Sequence, residues 1–154
     1  MKKISLLGAL ALTGMLLIPA TSAEADDWNI SIDSQAGWQS FDYVQTWQTI
    51  HVYAKGSWTV DYRRSEIGYT DPAGYSWAKD RHIGWQWLCH FTNDATYGTL
   101  LGKIDNGPTF VIGHDKWFVP KSSGTLWLRI NDGDDCLEDN YGRVNVYDEI
   151  FDND

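Results

Sequence analysis

Positive charge is scarce in this sequence. Its 154 residues hold 12 lysines and arginines against 21 aspartates and glutamates, a formal net charge of -9. That balance repels a phosphate backbone or an anionic membrane, so nucleic acid is a poor partner and cations or neutral molecules are better ones. Cysteine is scarce too. Cys89 and Cys136 are the only two, and export would permit a disulfide without requiring one. Helical periodicity is missing: beyond the N-terminal segment no window carries a sustained i, i+3, i+4, i+7 apolar stripe, and no later run is apolar enough to span a bilayer. Internal repeats, linkers and low-complexity tracts are absent as well. So are G-x-x-x-x-G-K-[ST], H-E-x-x-H and a nucleophile-elbow serine, which leaves no motif support for the corresponding phosphate-binding, zinc-hydrolase or serine-hydrolase chemistries.

What is present begins with a leader. Residues 1–25, MKKISLLGALALTGMLLIPATSAEA, join Lys2 and Lys3 to an apolar run from Ile4 to Ile18 and a small-residue end at Ala23 to Ala25. This is the layout of a secretory signal peptide, and its apolar core is shorter than the ~20 residues a membrane span needs. Cleavage after Ala23 or Ala25 would suit, with Ala25 preferred. Residues 26–154 then form one domain, large enough to bury a real core, and a secreted or periplasmic location follows. Losing two lysines and one glutamate makes the mature chain one unit more negative.

The mature chain reads as strands. Segments 28–33, 49–62, 98–105, 109–114, 116–119, 124–132 and 143–150 alternate apolar and polar residues or cluster β-branched and aromatic ones, each bounded by Gly, Pro, Asn or Asp. Short strands with regular turn punctuation predict an all-β domain, a small β-sandwich. Region 63–86 differs: it is long, polar and broken by Asp71-Pro72 and Gly74, yet its tryptophans and tyrosines argue against disorder. With 9 Trp in the chain most must fill space between sheets. Trp58, Trp117 and Trp127 are expected in the core or an interface, and Trp77, Trp85 and, more weakly, Tyr75 nearer a ligand.

A second unusual loop is acidic. Between two strand-like runs, "RINDGDDCLEDNYGRVNVY" places Asp132, Asp134, Asp135, Glu138 and Asp139 beside Asn131 and Asn140. Carboxylates turned inward together without a partner would cost several kcal/mol or protonate. Calcium would remove that cost, because it takes 6 to 8 oxygens from carboxylates, amides and carbonyls in flexible geometry. A solvated acidic turn would remove it too. The EF-hand pattern is not met, since the fifth and sixth positions counted from Asp132 are Cys136 and Leu137 and strands flank the loop.

The stretch "INDGDDCLEDNYGRVNV", with "HIGWQWLCH" at 82–90 and "IHVYAKGSWTVD" at 50–61, resembles the PA-I type calcium-dependent galactophilic bacterial lectins. The likeness runs over roughly residues 44–148 and is poor between Arg63 and Asp80. It implies a jelly-roll-like, galactose-binding-domain-like sandwich that holds Ca2+ and binds galactose-type glycans without turning them over. By resemblance Asp132 gives its carboxylate to calcium and to a sugar hydroxyl, Cys136 its main-chain carbonyl, and Asp139 and Asn140 their side-chain oxygens. A fifth ligand, a carbonyl, falls at Asp61, with Tyr62 next to it. Asp139 stands where the family has an amide. His82 falls on a histidine that contacts the 6-hydroxyl, and Gly133 and Asp139 border the sugar. Ile83 replaces a proline, and Trp85, with Gln86 adjacent, replaces a glutamine, so an indole face would pack on the pyranose. The family's tetramer would supply avidity to a weak diol site.

Other classes are weighed beside this one. A calcium-stabilised module without sugar binding would need the same loop. A glycosidase would need a second carboxyl, Glu66 or Asp71, set against Asp132, one with a raised pKa. A zinc site from His82, Cys89, His90 and Cys136 has suitable donors, but strand alternation would send Cys89 and His90 to opposite faces.

Overall fold

Period-two alternation places one row of apolar side chains on each strand, and two such sheets must cover each other. The computed structural model, which describes residues 29–84 and 89–153, shows this arrangement. In chain order its strands are β1 (Asn29–Asp33), β2 (Gln39–Val44), β3 (Gln48–Thr59), β4 (Leu100–Ile104), β5 (Phe110–Val111), β6 (Asp115–Phe118), β7 (Gly124–Ile130) and β8 (Tyr141–Asp152). They form two four-stranded sheets, β1-β8-β3-β6 and β2-β7-β4-β5, with antiparallel pairing throughout. The protein is an all-β sandwich. Ile50, Val52, Val144 and Val146 from the first sheet join Leu100, Leu126, Leu128 and Ile130 from the second in one core, each such side chain contributing about 1.5–3 kcal/mol by burial.

The long β3–β8 ladder positions the acidic loop. It runs from Gln48↔Asp152 to Thr59↔Tyr141, so the chain leaving β3 at Asp61 emerges beside the chain entering β8 at Asn140. Close approach there demands glycine: Gly142 has φ 103, and a Cβ on it would lie 2.6 Å from the Ser57 carbonyl oxygen. Trp58 anchors the same corner, fully buried, with its indole N–H donating to the Gly98 carbonyl at 2.7 Å.

Several expectations are corrected. Strand β2 was not legible, because a register shift between Ser40 and Asp42 breaks its alternation. Region 63–86 is not a plain loop. It carries the short helix α1 (Trp77–Ile83), opened by the Ser76 hydroxyl accepting from the Lys79 N–H at 3.2 Å; seven residues are too few to register as a stripe. Tyr75 is core, not ligand-facing, with its hydroxyl donating to the Gly68 carbonyl at 2.7 Å. Trp58 is core as expected, Trp127 is half-buried, and Trp117 is exposed on the outer face of the first sheet. There its ring stacks on His51 at 4.1 Å and on Phe151 at 5.7 Å, contacts within one face that do not need a second sheet. Among the described residues no helix is long and apolar enough to cross a membrane. The leader at 1–25, Trp85 and Gln86 lie outside the described residues.

Candidate functional site

The acidic stretch divides its charge between water and the interior. Asp134, Asp135 and Glu138 are exposed, on a 3-10 turn at Asp134–Asp139, while Asp132 and Asp139 are buried. The turn is held from below and from the side. Beneath it, Arg129 is fully buried. Its guanidinium donates to the Asp132 carbonyl at 2.5 Å and to Asp134 Oδ1 at 2.7 Å, and lies 4.0 Å from the Phe91 ring centroid. Beside it, a disulfide joins Cys136 to Cys89, and the Gly133 N–H donates to the Cys89 carbonyl. Asn131, also buried, spans to the 92–96 segment, its amide donating to the Ala95 and Thr96 carbonyls at 2.8 and 3.0 Å.

The disulfide decides the fate of one donor cluster. Ligand atoms of Cys89, Asp132 and Cys136 lie within 4.8 Å of one another, but both sulfurs are committed to each other and neither is a thiolate. The zinc arrangement loses its sulfur donors for the same reason. His90 is engaged elsewhere, with its Nε2 3.1 Å from Asp80 Oδ1.

Oxygen donors remain. Asp132 Oδ2 and Asn140 Oδ1 are buried with no hydrogen-bond partner, and so is the Tyr97 hydroxyl. The other oxygen of Asp132 accepts from the Gly133 N–H at 3.1 Å, and the Asn140 amide nitrogen donates to the Ser34 carbonyl at 2.9 Å. Burial pushes Asp132 up to about 8; the Asn140 side chain beside it, the Gly133 N–H and Arg129 ease its charge, and Asp139 opposes it. Asp139 is also raised, first by burial and then by Asp61, against the hydrogen bond from Arg63. Tyr97 is raised by burial and by the nearby Asp132 and Asp80 charges. Two orphaned, buried oxygens beside further carboxylates make an all-oxygen donor set, the chemistry a hard divalent cation prefers.

Asp61 reaches the same corner through a residue not foreseen. Arg63 donates to Asp139 Oδ2, and its Nε lies 3.5 Å from Asp61 Oδ1. The backbone closes the arrangement, with the Tyr62 N–H donating to the Asp139 carbonyl at 2.9 Å. Asp132, Cys136, Asp139 and Asn140 thus share one turn, with Asp61 and exposed Tyr62 docked against it. His82 is exposed on the last turn of α1. Among the described residues no hydrogen bond or ion pair joins it to the acidic turn; its charge reaches Glu66 instead. Sequence reading missed Arg63, Arg129 and Tyr97. Of these only Arg63 carried a local signal, two positions after Asp61 in "DYRR".

Fold and site together define a two-sheet antiparallel sandwich with an oxygen-lined acidic turn between β7 and β8. No protein-family model matches the sequence, and no curated protein sequence matches it. Among solved structures, one described as "EclA N-terminal domain; PllA-like lectin" superposes with a TM-score of 0.60 at 16% sequence identity, covering 80% of this chain and 96% of that one. At that identity the likeness establishes the shared sandwich fold, and function must come from the site.

Proposed function

We propose that this protein is an exported, calcium-dependent carbohydrate-binding protein whose ion sits in the turn between β7 and β8. The observation that carries the reading is the pair of buried, unpartnered oxygens, Asp132 Oδ2 and Asn140 Oδ1. Asp132, Asp139 and Asn140 would hold the ion with side-chain oxygens, and Asp61 and Cys136 with main-chain carbonyls. Calcium there offers open coordination positions to two vicinal hydroxyls, as in a galactose-type sugar. This chain's carboxylates would then accept hydrogen bonds from those hydroxyls, with Gly133 at the rim and His82 as the candidate contact to the exocyclic hydroxyl; Trp85 and Gln86 are candidates by resemblance alone. The lectin fold of the superposed structure supports the reading, as do the residues shared with the galactophilic family. Assembly into a tetramer would multiply a weak single site.

A glycosidase is less well supported, because it needs a second carboxyl set against the raised Asp132. Glu66 is instead engaged by its own backbone N–H and by Arg64 at 3.0 Å, and Asp71 Oδ1 accepts from the Ala73 N–H at 2.8 Å. Titration calorimetry with methyl galactoside, run with calcium and again after chelation, tests the proposal. Heat only in calcium is the expected result. Calcium that raises the melting temperature without any heat from galactosides would leave a metal-stabilised module and overturn the lectin reading.

A further inference from the structure

At the opposite end of β7 from the acidic turn, edge strands β5 and β6 belong to different sheets and leave the sandwich open between them. The opening is a cleft of about 380 Å³, inside the range of about 300–1,000 Å³ for small-molecule sites. Its walls are apolar: Phe110 and Phe118 meet at 5.3 Å between ring centroids, flanked by Pro108 and Val119. Two lysines, Lys116 and Lys121, also line it, as does Thr109.

These lysines differ from the others. Lys55 lies over the Tyr53 ring, Lys103 over the Trp38 ring, and Lys79 donates to the Glu66 carbonyl. Lys116 and Lys121 are the two lysines among the described residues whose side chains make no hydrogen bond, ion pair or ring contact. In a chain of net charge -9, two unpaired cations lining one apolar cleft, Lys116 half-buried and Lys121 exposed, are a specific arrangement. Lys116 puts a charge on the inward side of β6, sharing the half-buried face with Phe118 while Asp115 and Trp117 face out. An inward lysine on an edge strand opposes pairing with a second copy of the chain. It suits a small anion with an apolar body.

We propose that this cleft binds an amphipathic monocarboxylate, its alkyl chain lying across the paired rings of Phe110 and Phe118 and its carboxylate meeting Lys116 and Lys121. The site is separated from the acidic turn by the length of β7, about 20 Å for the six steps between its seven residues at ~3.3 Å each, and does not require calcium. Titration calorimetry of the full mature protein with decanoate, in chelator, tests it, with decylammonium as the charge-reversed probe of equal chain length. One decanoate per chain is expected, with decylammonium weaker by about tenfold or more and the Lys116→Gln/Lys121→Gln variant weakened to a similar degree, as for truncation of a partly desolvated charge pair. Thr109→Trp, which fills the cleft, should abolish binding; circular dichroism establishes that each variant is folded. Absence of decanoate binding overturns the proposal, as does a lysine double variant that binds as well as the wild type. Concentration-dependent dimerisation that excludes decanoate would assign the cleft to a second chain and overturn it equally.

Discussion

Asp132 is where stability and ion binding pull in opposite directions. Replacing it with asparagine preserves shape and keeps the oxygen that accepts from the Gly133 N–H at 3.1 Å. It converts the unpartnered Oδ2 into an amide donor beside the equally unpartnered Asn140 Oδ1. A buried polar atom without a partner costs about 1–3 kcal/mol. The upward displacement of Asp132 to about 8 from 3.8 sets an upper bound: the buried group stays mostly protonated at pH 7, and at about 1.36 kcal/mol per unit, taking up that proton at a pH well above its ordinary value costs about 4 kcal/mol. Water entry and loop relaxation reduce this, and about 2 kcal/mol is a reasonable working figure. In a domain of this size 1 kcal/mol moves Tm by about 3–5 °C. Asp132→Asn should therefore melt about 6–10 °C above the wild type in chelator. It should also lose the rise that calcium gives the wild type, which is about 2.7 kcal/mol when the ion is at 100 times its Kd. Differential scanning calorimetry of both proteins, with chelator and with millimolar calcium, reads both effects. An Asp132→Asn variant that melts below the wild type in chelator, or that retains the calcium rise, would refute the reasoning that the orphaned oxygens are a cation's ligands.

The other predictions address charge and crosslinking. Burial and the neighbouring Asp42 raise Asp148 to about 7; because the folded pKa lies above the unfolded one, this group's stabilisation is complete below about pH 4 and is lost as pH climbs toward 7. Asp148→Asn should flatten that fall and gain, after screening, about 1–2 kcal/mol at pH 8, to be read from urea melts at pH 4.5 and 8; equal differences from wild type at both pH values would contradict it. Arg63 competes with a cation for Asp139, so Arg63→Gln should tighten calcium binding by about threefold to tenfold, a modest gain because the charge removed is solvent-exposed; weaker binding by calorimetry would show that Arg63 supports the site instead. The Cys89–Cys136 bond spans 47 residues, and its removal by a double alanine substitution should cost about 4 kcal/mol in the chain-entropy account. An unchanged guanidinium midpoint would refute that.

Much of the fold was legible because its signals are local. Alternation in "IHVYAKGSW" and "GTLWLRI" marks β3 and β7 without reference to partners. The acidic turn was equally plain, since Asp132, Cys136, Asp139 and Asn140 lie within nine residues. β2 was hidden by its bulge, and α1 by its shortness. That Trp117 is not in the core was hidden because alternation states which residues share a face, not whether that face is covered.

By itself, then, the sequence determined the strand periodicity, the excess of negative charge and the cluster of oxygen donors, all properties of neighbouring residues. Only the tertiary structure decided which carboxylates are buried and which oxygens lack partners. It alone closed the 47-residue loop between Cys89 and Cys136 and brought Arg63 to Asp139 across 76 residues of chain. Desolvation and long-range pairing depend on what the fold places around a group, and no local pattern records that.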